Sequence, residues 1–217
     1  MCDTHDTPAG TLYAGDIPSF EECVTFHGHV CPGLALGYRV AAAAMEALGV
    51  RRPYDEELVA VAETDACGVD AIQVVTGCTA GKGNLIIKDY GKHAFSFFSR
   101  ESGRAVRVRT CYSNAGGQDE VSLLRKKVFS HTATPAEESR YRELVKDSAM
   151  RILSLPAEQV VIVEEIEMEP PSMARIYNTV ICSCCDEPVA DGKTRLVDGK
   201  YVCIPCAEGS SPRKKGV

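Results

Sequence analysis

Hydrophobic and polar positions along this chain change period several times, and each change predicts an element. Pro18, Phe20, Cys23 and Val24 begin a short helix that ends near Gly28, where glycine tolerates the turn. Cys31-Pro32 opens a second helix, because a proline in the first turn gives up an N–H that has no partner there. Leu34, Tyr38, Ala41 or Ala42, Met45 and Leu48 keep a three-to-four spacing, and Gly49 ends that helix. Residues 58–64 alternate Leu58, Ala60 and Ala62 against Val59 and Val61, which predicts a buried strand. Val69, Ile72, Gln73 and Thr76 return to helical spacing over 66–76. Residues 77–83 are a glycine-rich turn.

Three more strands are predicted at 84–88, 94–99 and 105–111, the last two joined as a hairpin through Arg100-Glu101-Ser102-Gly103-Arg104. Val121, Leu124 and Val128 place a helix over 119–130. Thr134-Pro135-Ala136-Glu137 is a capping box, and the long helix behind it carries the stripe Tyr141, Leu144, Val145, Ser148 and Ile152. Residues 159–167 alternate again, as a strand with one wet face. Pro170-Pro171-Ser172 is the clearest linker. Helices first, then mixed strands with an antiparallel hairpin, predict an α+β fold with a mixed or antiparallel sheet packed against helices. The expected division is a core domain at 16–169, a linker at 170–176 and a small cysteine domain at 177–210, with residues 1–15 a loose tail.

Composition changes this picture little. The chain has 217 residues, 45% of them hydrophobic and 25% charged, near globular averages. Its net charge of -6 opposes a general nucleic-acid binder. No apolar run approaches the about 20 residues of a membrane span. The first 16 residues show no basic start and no apolar stretch of a secretory signal, so a cytoplasmic location is expected. In that setting, eleven cysteines point to metal ligands or reactive thiols before disulfides.

Cys182-x-x-Cys185 and Cys203-x-x-Cys206, with 17 residues between the pairs, predict a structural Zn²⁺ held by four thiolates. Cys184 is a spare beside them, because a two-residue gap fits a knuckle better. From Arg175 onward, seven cations meet five anions and a zinc–thiolate cluster of net charge -2, which leaves no phosphate-binding stripe. A structural role or recruitment of a protein partner is therefore expected, and Arg213-Lys214-Lys215 is a solvated tail.

His27, His29 and Cys31 stand at i, i+2 and i+4, so alternate side chains in an extended or turning segment converge. Cys31 sits where a helix begins, and the free N–H groups there favour a thiolate. Such a thiolate beside imidazole is either a nucleophile with a histidine base or a soft metal ligand, and both readings stay open. Asp65, Cys67 and Asp70 follow a strand end, where they face a cleft. Cys67 and Cys78 are candidates to complete the site. Gly77-Cys78-Thr79-Ala80-Gly81-Lys82-Gly83 is not a nucleotide phosphate loop: it has three residues between its glycines and a strand behind it. Its bland role is a tight turn, its functional one an anion contact through Lys82.

Phe26-His27-Gly28-His29-x-Cys31-Pro32-Gly33-Leu34-x-x-Gly37-x-Arg39 resembles the signature of the formylmethanofuran dehydrogenase E-subunit family. Glu63-Thr64-Asp65-x-Cys67-x-Val69-Asp70-Ala71-Ile72-Gln73 through Gly77-Cys78-Thr79 resembles its second signature. Gly81-Lys82-Gly83-Asn84-Leu85-x-x-Lys88-Asp89-Tyr90-Gly91-Lys92 resembles its third. The resemblance spans about residues 18 to 165, and the family's frequent C-terminal treble-clef zinc finger matches 180–206. It implies an α+β core, a homodimer, and a cleft lined by His27, His29, Cys31, Cys67 and Asp70, with Cys78 beside them.

The family takes its name from co-occurrence with tungsten or molybdenum formylmethanofuran dehydrogenase, which joins CO₂ to methanofuran as a formyl group. The chain shows no pterin or iron–sulfur motif for that chemistry. The resemblance thus implies a metal- and thiol-containing accessory protein or enzyme of that one-carbon metabolism, with His27, His29, Cys31 and Cys67 as a second metal site. Two alternatives remain: a ligand- or metal-sensing module whose zinc finger recruits a protein partner, and a thiol-redox protein.

Overall fold

The computed structural model describes residues 17–112 and 118–210. The tail at 1–15 with Cys2, and Arg213-Lys214-Lys215, lie outside them. The chain divides into two compact units, one ending at Met173 and the other starting at Ala174.

The first unit has the element order α1 (Phe20–His27), α2 (Pro32–Leu48), β1 (Leu58–Ala62), α3 (Gly68–Thr76), β2 (Leu85–Ile87), β3 (Ala94–Ser99), β4 (Ala105–Thr110), α4 (Gln118–Phe129), α5 (Pro135–Ser154) and β5 (Val161–Ile166). Its five-stranded sheet runs β2-β1-β3-β4-β5. Only β1 and β2 are parallel, and α3 is the crossover between them. The β3–β4 hairpin pairs Phe97 with Val106, as an antiparallel register requires. The mixed sheet packed with helices is the α+β fold expected from the chain's pattern.

The core lies between one face of this sheet and the helices. Ala60, Ala62, Phe95, Phe97, Val106 and Val108 from the sheet pack with Leu34, Ala35, Val40, Ala41, Ala44 and Met45 of α2. Burial of each large side chain is worth about 1.5–3 kcal/mol. The alanine run lets α2 lie close to the strands. On the opposite face Val59, Phe98 and Ala105 form a smaller cluster, joined by Ile166 and Met168.

β5 departs from a clean alternation. Val161 is buried, but Val163 is 40% exposed: among the described residues β5 is an edge strand, paired with β4 alone. The stripe on α5 also deepens toward its C-terminus, where Ala149 and Ile152 are fully buried. Arg39 closes that end: its Nη1 donates to the carbonyls of Ile152, Leu153 and Leu155 at 3.0, 2.9 and 2.6 Å. Helix C-termini leave carbonyls unpaired, and the half-buried Arg39 cation is a strong partner for them. No helix among the described residues is long and apolar enough to cross a membrane.

The second unit contains two hairpins, β6 (Thr179–Ile181) with β7 (Pro188–Ala190) and β8 (Thr194–Val197) with β9 (Lys200–Cys203), then the short helix α6 (Ile204–Ala207). Among the described residues its buried centre is Cys182, Val202 and Cys203, too little apolar surface to stabilise a domain.

Candidate metal centre

Two helix N-termini form the core site. Cys31 is the N-cap of α2, in extended conformation, and its Sγ accepts the Leu34 N–H at 3.3 Å. Cys67 is the N-cap of α3. The helices meet there through glycines. A Cβ on Gly33 would lie 3.3 Å from the Cys67 Cβ, and 3.9 and 4.0 Å from the sulfurs of Cys67 and Cys31. Absence of side chains at this crossing is what lets two capping cysteines come together.

His27 is the last residue of α1, and Gly28 turns the chain behind it in left-handed conformation. The His27 Nδ1 lies 2.6 Å from Oδ2 of Asp70, in the first turn of α3. An ionised carboxylate only accepts, so Nδ1 carries the proton and donates. In the neutral imidazole Nε2 is then the unprotonated nitrogen, and it faces Cys31 Sγ at 3.8 Å. His27, Cys31 and Cys67 each offer one ligand atom, all within 4.8 Å of one another. Gln73, one turn after Asp70, donates from Nε2 to the other carboxylate oxygen at 3.4 Å. Its i, i+3 spacing from Asp70 was the signal for this contact.

Burial pushes the Cys31 thiol above its ordinary pKa; the Leu34 N–H pulls the other way, and neighbouring Cys67 adds to the rise. The helix N-terminus acts in the direction expected from the chain, but burial outweighs it. Cys31, in this half-buried pocket of two thiols and an imidazole, is therefore a poor free nucleophile. The three groups together make a good soft N/S donor set, because a cation would relieve both the burial cost and the repulsion between thiolates.

The other predicted residues stand apart from this group. His29 is exposed, with its ring centroid 4.5 Å from that of His27. Cys78 is fully buried, its thiol bonded to the Leu58 carbonyl at 3.3 Å and its pKa pushed up to about 11 by burial. Lys82 donates from Nζ to the Asp55 carbonyl at 2.9 Å. The 77–83 loop is held by Asn84, whose buried amide accepts from Thr79 N–H and donates to Leu58 O.

The second unit brings Cys182, Cys185, Cys203 and Cys206 together, their sulfurs within 4.8 Å of one another. The sulfur of Cys182 accepts N–H groups from Cys203 and Cys184 at 3.3 and 3.4 Å. The Cys203 N–H is the main reason the Cys182 thiol is held down to about 6. These donors fit a structural Zn²⁺: four sulfurs, a closed set, and N–H groups on the buried thiolate. Cys184 supplies its backbone, while its side chain is exposed. Knuckle, hairpin and helix follow the treble-clef order.

Fold and sites define an α+β protein with a thiol–imidazole pocket, followed by a four-cysteine zinc finger. Residues 26–162 match the family described as FmdE, molybdenum formylmethanofuran dehydrogenase operon, and the chain belongs to that family. Residues 175–212 match the prokaryotic dksA/traR C4-type zinc finger. A relative in Archaeoglobus fulgidus, named a probable S-adenosyl-L-methionine-binding protein, is 33% identical over 189 residues, 84% of this chain and 50% of that protein. The chain thus spans about half the length of this curated relative. The crystal structure of a tungsten formylmethanofuran dehydrogenase FmdE-like protein from Syntrophus aciditrophicus matches with a TM-score of 0.54 at 24% identity, over 91% of this chain and 96% of that one. That likeness concerns the fold.

Proposed function

We propose that this chain holds a transition-metal ion through His27, Cys31 and Cys67 and serves as an accessory protein or enzyme of molybdenum- or tungsten-linked formylmethanofuran dehydrogenase-type one-carbon metabolism. The observation that carries the reading is the orientation of His27. Asp70 accepts the Nδ1–H at 2.6 Å, and this leaves the lone pair of the neutral ring on Nε2, which faces Cys31. A carboxylate behind a histidine is the usual support of a metal-ligating imidazole. Three protein donors leave room for one more, and a metal so held supplies Lewis-acid activation of a bound small molecule. Cys31 and Cys67 would be ligands, Asp70 the orienting base, and exposed His29 a proton carrier at the rim. Operon association of the family supports the metabolic setting. The name of the Archaeoglobus relative makes S-adenosylmethionine the first small molecule to test against the cleft.

A homodimer, a partner bound through the zinc finger, and a cytoplasmic location complete the reading. Elemental analysis of the full chain tests its centre. A transition metal beyond the zinc of the finger is expected, lost in Cys31→Ser and in Cys67→Ser. One zinc per chain in the unsubstituted protein, unchanged in both variants, would overturn it. The adjacent thiols support a second reading, thiol–disulfide exchange between Cys31 and Cys67. It predicts that mild treatment with a disulfide oxidant lowers the free-thiol count by two in the unsubstituted core and leaves Cys31→Ser without an internal bond.

A further inference from the structure

We propose that Gln73 is a positioning residue of the core site: it holds the Asp70 carboxylate turned outward, so that Asp70 fixes the tautomer of His27. Its consequence for metal rests on the reading above, whereas its substance rests on hydrogen-bond geometry alone.

Asp70 is the third residue of α3. A carboxylate there ordinarily turns back to the N-cap backbone, where unpaired N–H groups and the helix dipole attract it. In α3 the cap makes no side-chain bond of its own, and the Val69 and Asp70 N–H groups already go to the Ala66 and Cys67 carbonyls at 2.9 and 3.2 Å, so the helix dipole supplies the pull. Asp70 nevertheless reaches away from its own helix to His27. The one other side-chain bond described for its carboxylate comes from Gln73. Only the amide NH₂ can donate to a carboxylate, so the orientation of the Gln73 side chain follows from chemistry. With Oδ1 held by Gln73 and Oδ2 by His27, the plane of the carboxylate is set from both sides.

The Asp70 side chain is 34% exposed, against 11% for His27. Water therefore reaches Asp70, and without Gln73 its carboxylate is free to swing to the α3 N-terminus. His27 would then lose the acceptor that keeps the proton on Nδ1, and Nε2–H would appear. That form cannot donate a lone pair toward Cys31. Gln73 thus acts on the ligand set through two hydrogen bonds, with no contribution to the three donor atoms.

The test uses full-length protein with zinc in its finger. Imidazole nitrogen resonances of His27 are recorded without core metal at about pH 8, above the ordinary histidine pKa. Cobalt(II) is then titrated into the core and followed by its thiolate charge-transfer absorption. The unsubstituted protein is expected to show a single Nδ1–H tautomer. Gln73→Leu and Gln73→Met should both show a mixture with Nε2–H, and should weaken cobalt binding by about tenfold, the low end of losses for groups that support a ligand. Gln73→Glu sets a charge against Asp70 and should weaken it further. Variants that unfold more easily but keep the pure Nδ1–H tautomer and the original cobalt affinity would overturn the proposal. If the unsubstituted core takes no cobalt while the tautomer still shifts in Gln73→Leu, the role of Gln73 stands and the metal reading falls.

Discussion

Gly37 of α2 touches Gly68 of α3 so closely that a Cβ on Gly37 would stand 2.3 Å from the Gly68 carbonyl oxygen. The contact is backbone on backbone, with no flexible side chain to give way. It lies next to Cys67, the cap of α3, and six residues after Cys31, the cap of α2. The crossing of these helices therefore fixes the distance between the two thiols.

Gly37→Ala is expected to force the helices apart. Overpacking ordinarily costs about 1–3 kcal/mol, and this site should lie at the upper end because only backbone can move. Gly33→Ala is the informative contrast. Its Cβ would meet Cys67 Cβ at 3.3 Å and both sulfurs at ordinary contact distance. Alanine also favours the helix by up to about 1 kcal/mol. Denaturant titration should show Gly33→Ala within about 1 kcal/mol of the original protein, while its core loses affinity for metal. Equal destabilisation by the two substitutions would contradict this account of the crossing.

Asp70→Asn should act on the site without disturbing the fold. Gln73 donates to one oxygen of Asp70. In the asparagine variant, with Gln73 still donating, the single carbonyl oxygen takes that bond, so the NH₂ faces His27 Nδ1. The imidazole must then accept at Nδ1 and carry its proton on Nε2, the wrong tautomer for a ligand. Metal affinity of the core should fall by about 10–100-fold, measured by competition with a chromophoric chelator. Unaltered affinity would mean that Asp70 does not orient His27.

Much of the fold was legible because its signals are local. Cys31-Pro32 and Gly49 bound α2, and the Thr134–Glu137 capping box starts α5, with both reciprocal bonds formed. Strand order was not legible. β1 pairs in parallel with β2 and antiparallel with β3, and residues far apart in sequence decide which neighbour wins. Of the site, the residue types were readable but their geometry was not. An i, i+2, i+4 spacing converges in an extended or turning segment; here His27 ends a helix and Gly28 makes the turn at φ 93°. That turn leaves His29 at the surface. Cys67 and Asp70 come to His27 through the α2–α3 crossing, which depends on glycine contacts no periodicity reports. Cys78 faces the core because the strand-side carbonyl of Leu58 is its partner.

The zinc finger should depend on its metal. Its buried centre is three of the described residues, so the about 10–16 kcal/mol typical of structural zinc supplies most of its folding energy. Chelation, or Cys182→Ser, should collapse the dispersion of amide resonances for residues 177–210 and leave those of the first unit in place. Cys184→Ser should keep zinc affinity, because Cys184 gives Cys182 a backbone N–H and its thiol is exposed. Loss of zinc in Cys184→Ser would reassign the knuckle.

Glu63 and Arg107 form a two-pronged ion pair at the exit of β1, with Nε–Oε1 at 2.7 Å and Nη2–Oε2 at 3.0 Å. Their side chains are 14% and 25% exposed, which shields the pair from much of the solvent. The Glu63 carbonyl also accepts the N–H groups of Tyr90 and Lys92, so the pair anchors the loop after β2. Arg107 holds the Glu63 carboxyl below the usual carboxylate range. A depressed carboxylate contributes stability above its unfolded pKa of about 4.3 and loses it as pH falls through the lower folded value. Arg107→Ala should cost about 1–3 kcal/mol at neutral pH, less than a fully buried pair because water reaches both groups. Arg107→Lys should recover only part, since a lysine cannot make both bonds at once. The difference in stability between the original protein and Arg107→Ala should therefore shrink from neutral pH toward about pH 3. Urea titrations at several pH values measure that difference directly. A constant gap across the range would show that Arg107 stabilises the sheet through packing of its stem, and that its charge is incidental.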